Sequence, residues 1–182
     1  MSPPYHHGAL RPVLLQAAVD AIAERGIANT SLREVARRAG VSHTAAGYHF
    51  GDQAGLLRAV AVQGYELLGD ALADAHARTS FLEVGVAYVR FALDHPAHFD
   101  VMFQPRLYDP EAPDLRSAKS RTAEAHYGTR APGREELAAG VAAWSIVHGL
   151  ATLWRNGNIP RDLGDDPEAV ARLVASHLRA RR

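Results

Sequence analysis

The chain contains no cysteine, which removes disulfides, thiolate nucleophiles and cysteine-based zinc sites from consideration. It has a single lysine, Lys119, and its twenty basic side chains are balanced by twenty acidic ones. The wholesale basic footprint of a protein coated in nucleic acid is therefore missing. No run of about 18 or more uncharged apolar residues is read in the sequence, so no transmembrane helix is expected. The opening stretch MSPPYHHGALRP has no apolar segment behind a basic start. Nothing in it directs export, and a soluble cytoplasmic protein is expected. The motifs GxSxG, HExxH and GxGxxG and a phosphate-cradling glycine loop are all absent. His95 and His98 lie three apart and His6 and His7 are adjacent, but neither pair has a third ligand at metal-binding spacing. No catalysis, cofactor or metal is expected.

What is present is apolar and helical. Nearly half of the chain, 47% of its 182 residues, is hydrophobic, enough for a sizeable core in one domain or in a small head joined to a larger body. Strand-like alternation and internal repeats are not found. Leu10, Val13, Leu14, Ala17, Ala18, Ala21 and Ile22 recur at spacings of three and four, one apolar helix face, and Gly26 ends it. Ser31-Leu-Arg-Glu34 has capping-box spacing and opens a second helix with Leu32, Val35, Ala36 and Ala39 facing inward. Gly40 ends that helix, and Ser42 is an N-cap for a short third helix reaching about Tyr48.

Two helices joined by a turn of three or four residues containing glycine make a helix-turn-helix. Ala36 sits where the helices cross, Gly40 where the chain reverses and Val41 in the angle between them. A long helix follows from Asp52, with Leu56, Leu57, Val60, Tyr65 and Leu68 on its apolar side. Phe81, Val84, Tyr88, Phe91 and Ala92 mark another helix, ended near His95-Pro96, and a short piece carries Phe99, Met102 and Phe103. Pro105, Pro110 and Pro113 make the next segment irregular, and residues 114–130 read as a weak helix. Residues 134–156 form a strong helix whose apolar face holds Leu137, Val141, Trp144, Val147, His148, Ala151 and Trp154. Asp165-Asp166-Pro167-Glu168 starts a last helix with Val170, Leu173, Val174, His177 and Leu178 as its inward stripe. Arg179, Arg181 and Arg182 complement its C-terminus. The reading is all-α, about nine helices, with a head over residues 8–68 and a body over 69–182.

The stretch TSLREVARRAGVSHTAAGYHFGDQAGLL, Thr30 to Leu57, resembles the DNA-binding head of the TetR/AcrR family of bacterial regulators. The resemblance is carried by Thr30, Leu32, Glu34, Val35, Ala36, the run Ala39-Gly40-Val41-Ser42, His49-Phe50, and Leu56-Leu57 after Asp52. Two positions depart from it: Gly47 stands where the family usually places tyrosine, and Gln53 where it places a phosphate-binding lysine. The C-terminal half resembles the branch with a Trp…His-Gly signature, here AAWSIVHGLATLW with Trp144, His148 and Gly149. The resemblance implies a transcriptional regulator, most often a repressor released from operator DNA by a small apolar effector. It implies a homodimer that places two heads in successive major grooves about 34–36 Å apart.

Within that frame, Ser42, His43, Thr44 and Ala45 open the third helix and point into the major groove. His43 and Thr44 can hydrogen-bond base edges, and the methyl groups of Thr44 or Ala45 can meet thymine. Tyr48 and His49 suit phosphate oxygens, Thr30 and Arg33 could touch the backbone from the second helix, and Phe50 is core. Tyr5, His6, His7 and Arg11 form a polar arm that either reaches the duplex or frays. Local charge permits this: Arg11, Arg25, Arg33, Arg37 and Arg38 face Asp20, Glu24 and Glu34, while much of the acid lies after residue 100. In the body Tyr88, Phe91, Phe103, Trp144 and His148 are candidates for the effector pocket, with Phe99, Met102, Tyr108, His126 and Tyr127 nearby in sequence. The plainer alternative for each is core packing. The helices at 134–156 and 166–181 are expected to pair with their two-fold mates. The rival reading is a helical ligand-binding or enzymatic protein with a vestigial helix-turn-helix, and it rests on Gly47 and Gln53.

Overall fold

A computed structural model describes residues 7–78, 80–127 and 133–177. Tyr5, His6, Leu178, Arg179, Arg181 and Arg182 lie outside the described residues, as do the side chains of His7, His126 and Tyr127. Among the described residues there are nine α-helices, three short 3-10 turns and no strand. The helices are α1 (His7–Arg25), α2 (Leu32–Arg38), α3 (His43–Phe50), α4 (Gln53–Arg78) and α5 (Phe81–Asp94). After these come α6 (Pro96–Met102), α7 (Pro113–Tyr127), α8 (Arg134–Arg155) and α9 (Pro167–Ser176). The chain forms two compact units. One comprises the residues up to Gly64 with Pro96–Ser117, the other Tyr65–His95 with the chain from Ala118 onward. The expected division at residue 68 keeps 96–117 with the body, whereas α6 packs on α1. His98 Nε2 also lies 2.9 Å from Gln63 Oε1, and Arg58 pairs with Asp114 at 3.3 Å.

Local signals build the first unit. Leu10, Leu14, Ala18, Ala21 and Ile22 of α1 are buried as their spacing predicts. Val13 is instead half exposed and Leu15 takes an inward place, so the buried stripe keeps its centre and changes only at its flanks. The Ser31 hydroxyl accepts from the Glu34 backbone N–H at 3.2 Å and caps α2, and Ser42 does the same for Ala45 at 3.1 Å and caps α3. The reciprocal half of the expected capping box is replaced, because the Glu34 carboxylate turns to arginines. Between the two helices Val41 N–H bonds the Ala36 carbonyl at 3.0 Å and Gly40 N–H the Arg37 carbonyl at 3.2 Å. This double closure needs a left-handed residue, and Gly40 supplies it at φ +69. The junction of α3 with α4 is tight for a different reason. A Cβ on Gly55 would sit 1.9 Å from the Phe50 carbonyl oxygen, so only glycine lets the first turn of α4 pass there.

The second unit is organised on α5, whose Val84, Val86, Tyr88, Val89, Phe91 and Ala92 are all buried. Both α8 and α9 pack against it and against each other. Asp166 caps α9 through the Glu168 N–H at 2.9 Å, and the Thr122 hydroxyl of α7 donates to the Tyr65 carbonyl of α4 at 2.7 Å. The inward stripe of α9 differs from the expected one. Val170, Ala171 and Ala175 are buried, whereas Leu173 and His177 are exposed. Small side chains let α9 approach α5 closely, and the larger ones turn outward.

The absence of a membrane-length helix needs correction. Helix α8 is long and apolar enough by length and composition to cross a membrane, with a mean hydropathy of 1.4 over 18 residues of which 22% are buried. Ser145 and Thr152 interrupt the stretch without charging it, since their hydroxyls donate to the carbonyls of Val141 and His148 four residues back. In this fold the helix is a wall of the helical body, packed on α5 and α9.

Candidate functional site

Helix α3 presents one face outward and anchors the other. Ala46 and Phe50 are buried, and the Arg11 guanidinium lies 5.3 Å over the Phe50 ring. Ser42, His43 and Thr44 are exposed at its first turn, Ala45 and His49 are half-buried, and Tyr48 is 86% exposed. An α-helix is about 10–12 Å across with its side chains, which fits a B-form major groove about 12 Å wide. The Tyr48 and His49 rings meet edge-on at 5.4 Å. Of the expected reading residues, the structure brings Ser42, His43, Thr44 and Tyr48 onto one exposed surface.

Thr30 does not belong to that surface. Its side chain is 2% exposed, and its hydroxyl donates to the Gly26 carbonyl at 3.0 Å. The residue builds the turn between α1 and α2 and cannot extend that hydroxyl to phosphate. Arg33 is exposed and makes no ion pair among the described residues. Gln53, at the family's lysine position, is also used internally: its Nε2 donates to the Thr30 carbonyl at 2.8 Å. Gly47 has open space around it, with nothing within 4 Å of a built Cβ.

The expected basic excess is largely spent inside the head. Glu34 takes Arg37 at 2.8 Å, Arg38 at 3.0 Å and Arg25 at 3.3 Å, and Arg38 also reaches Glu24 at 2.6 Å. Hydrogen bonds from Arg37 and then Arg38 lower the Glu34 pKa from 4.5 to about 2. Donating to Glu24 first and then to Glu34 raises that of Arg38. The cluster ties the end of α1 to α2 and leaves Arg11 and Arg33 as the basic groups it does not hold. Counted from the sequence alone, these arginines are free charge. The i,i+3 and i,i+4 spacing of Glu34 to Arg37 and Arg38 is the available signal against that count.

In the body, three of the five expected pocket residues come together. Trp144 Nε1 donates to the Tyr88 hydroxyl at 3.1 Å, and that hydroxyl lies 2.9 Å from His148 Nδ1. Burial raises the Tyr88 pKa and lowers that of His148 below 6.5. The assignment that uses each atom once runs Trp144 N–H to Tyr88 O–H to a neutral His148, leaving its proton on Nε2. Phe91 is buried beside His95, ring centres 5.2 Å apart, and lines a cleft of about 300 Å³. Phe103 belongs to the other unit, where it packs edge-on against Phe99 at 5.0 Å. Among the described residues no group of three or more His, Asp or Glu is placed to hold a metal ion.

A capped helix-turn-helix with an outward polar helix, joined to a helical body, defines the class of DNA-binding transcription regulators. The model for bacterial regulatory proteins of the tetR family matches residues 14–60, and that for the tetracyclin repressor-like C-terminal domain matches residues 81–178. The chain belongs to the TetR family of transcription regulators. No curated protein matches it. Among solved structures, a protein of unknown function from Rhodococcus sp. RHA1 is 31% identical, covers 97% of each chain and superposes with a TM-score of 0.77. A TetR family transcription regulator from Marinobacter aquaeolei VT8 is 18% identical, covers 94% of this chain and 95% of its own, and has a TM-score of 0.69. The TetR family transcriptional regulator PfmR from Thermus thermophilus is 21% identical, with 93% and 98% covered and a TM-score of 0.66. The last two share the fold.

Proposed function

We propose that the protein is a dimeric cytoplasmic repressor that reads operator DNA with α3 and lets go when a small effector occupies its body. The observation that carries the reading is the surface of α3. Ser42 caps the helix while His43, Thr44 and Tyr48 stand exposed above a buried Ala46–Phe50 anchor. Polar side chains at the start of an anchored helix suit base edges, and an exposed tyrosine hydroxyl suits a phosphate oxygen. His43, Thr44 and Ala45 are the proposed base readers; Tyr48, His49 and Arg33 are the proposed backbone contacts.

Dimerisation has its own support. Leu137, Val141 and Trp144 of α8 are 46%, 52% and 41% exposed, and Leu173 of α9 is 48% exposed. The first three recur at four and three residues, so they form one apolar row. A second copy of the chain presenting the same row would cover it in an isologous contact. Hydrogen bonds that join Trp144 and His148 of this part of α8 to Tyr88 of α5 are the proposed route by which the body senses its state.

A gel shift against duplex DNA from upstream of the protein's own gene tests the regulatory reading. A retarded band competed by the same DNA, and not by random duplex, is expected. Equal competition by both removes the proposed readout. Light scattering at micromolar concentration checks the assembly, with a two-chain mass expected and a one-chain mass decisive against it.

A further inference from the structure

The cleft beside Phe91 has a lining that specifies more than an apolar effector. Its floor and one wall are apolar: Phe91 and Val86 are buried, and Ala71, Ala75 and Ala87 narrow it. Charges surround this floor. Arg172 binds Glu83 with two hydrogen bonds of 2.8 Å and reaches Glu168 at 3.2 Å, and Arg90 pairs with Glu168. The guanidinium of Arg172 holds the Glu83 carboxyl below its usual range. Both arginines of the lining are thus neutralised by carboxylates of the same lining. Two further carboxylates belong to the lining, Asp74 of α4 and Asp94 of α5, and Asp94 is exposed and makes no ion pair among the described residues.

We infer that this cleft between α4, α5 and α9 is the effector site and takes a small organic cation with an apolar body. A volume of about 300 Å³ sits at the small end of ligand clefts, which suits a small occupant. An apolar body displaces water from Phe91 and the alanines, while its cation meets the surplus carboxylate charge at Asp94. An anionic ligand would find both guanidinium groups already engaged. The inference rests on the effector-responsive reading above and names the ligand class and the site. One wall is carried by α4, the helix whose first residue, Gln53, holds the Thr30 carbonyl of the head.

The test uses benzyltrimethylammonium, with benzyl alcohol and phenylacetate as neutral and anionic comparators, titrated calorimetrically into the full chain at low salt. Saturable binding of the cation is expected, with affinity at least tenfold above either comparator. Asp94→Asn should weaken it about fivefold, the scale of one exposed charge contact, and Ala87→Trp should abolish it by filling the cleft. Asp162→Asn, which removes an acid outside the cleft, should change nothing. Circular dichroism melts confirm that each variant is folded. In gel shifts the saturating cation should release DNA from the wild type and leave Ala87→Trp bound. Absence of saturable cation binding, equal binding of benzyl alcohol, or binding unaffected by both cleft variants overturns the inference. Cation binding that leaves DNA affinity unchanged overturns the effector role. Failure to bind DNA with no ligand present is a separate result, and it removes the regulatory reading instead.

Discussion

The side-chain amide of Gln53 donates to the backbone carbonyl of Thr30 across 2.8 Å, joining the first residue of α4 to the turn that precedes α2. The carbonyl lies beside a buried threonine whose own hydroxyl is committed to Gly26. A position that reads in sequence as a lost phosphate contact is therefore a brace inside the head. Gln53→Ala should cost about 0.5–1.5 kcal/mol in urea unfolding, the usual net value of one hydrogen bond. An unchanged midpoint would show that the bond contributes nothing.

On α3 the roles of two exposed residues should separate by measurement. Thr44→Ala should relax sequence preference, losing about 1–3 kcal/mol on operator and little on random duplex if its hydroxyl or methyl reads a base. Tyr48→Phe should weaken both DNAs alike, since the 86% exposed ring offers its hydroxyl to the backbone. Equal losses on both DNAs for Thr44→Ala would reverse the assignment.

The Glu34 cluster predicts an acid limit for the head. Its folded pKa of about 2 lies below the ordinary 4.5, so the ionised form is favoured by folding. The stability it contributes is complete above about pH 4.5 and is lost as pH falls toward 2. Thermal melts across that window should show a steeper fall for the wild type than for Glu34→Gln. Parallel curves would mean that the three arginines add no net stability.

Two glycines near α3 should respond oppositely to alanine. Gly47 is helical with open space about it, so Gly47→Ala should stabilise the head by about 0.5–1 kcal/mol. Gly55 has the Phe50 carbonyl where a Cβ would go, so Gly55→Ala should destabilise by about 1–3 kcal/mol. Denaturant midpoints of the two variants decide it, and shifts of the same sign would contradict the geometry. Gly47→Tyr starts from a Cβ that meets nothing within 4 Å, and should tighten binding to operator and random DNA alike by restoring a phosphate donor.

The sequence by itself determined the elements of this fold. Ser31, Ser42 and Asp166 cap their helices, Gly40 reverses the chain at positive φ, and the periodicity of residues 134–156 returns as α8. Each of these signals acts within a few residues, through a hydrogen bond or a dihedral that the residue type itself dictates. Only the tertiary structure decided partners and faces. It buried Thr30, turned Leu173 outward and Ala171 inward on α9, and spent Arg38 on Glu24, a residue of a different helix. It also grouped Phe91 with paired and surplus charges from three helices, where the sequence suggested an aromatic pocket. Spacing tells which residues share a helix face, but burial and charge pairing depend on which other helix meets that face. That is settled by close packing across the whole chain.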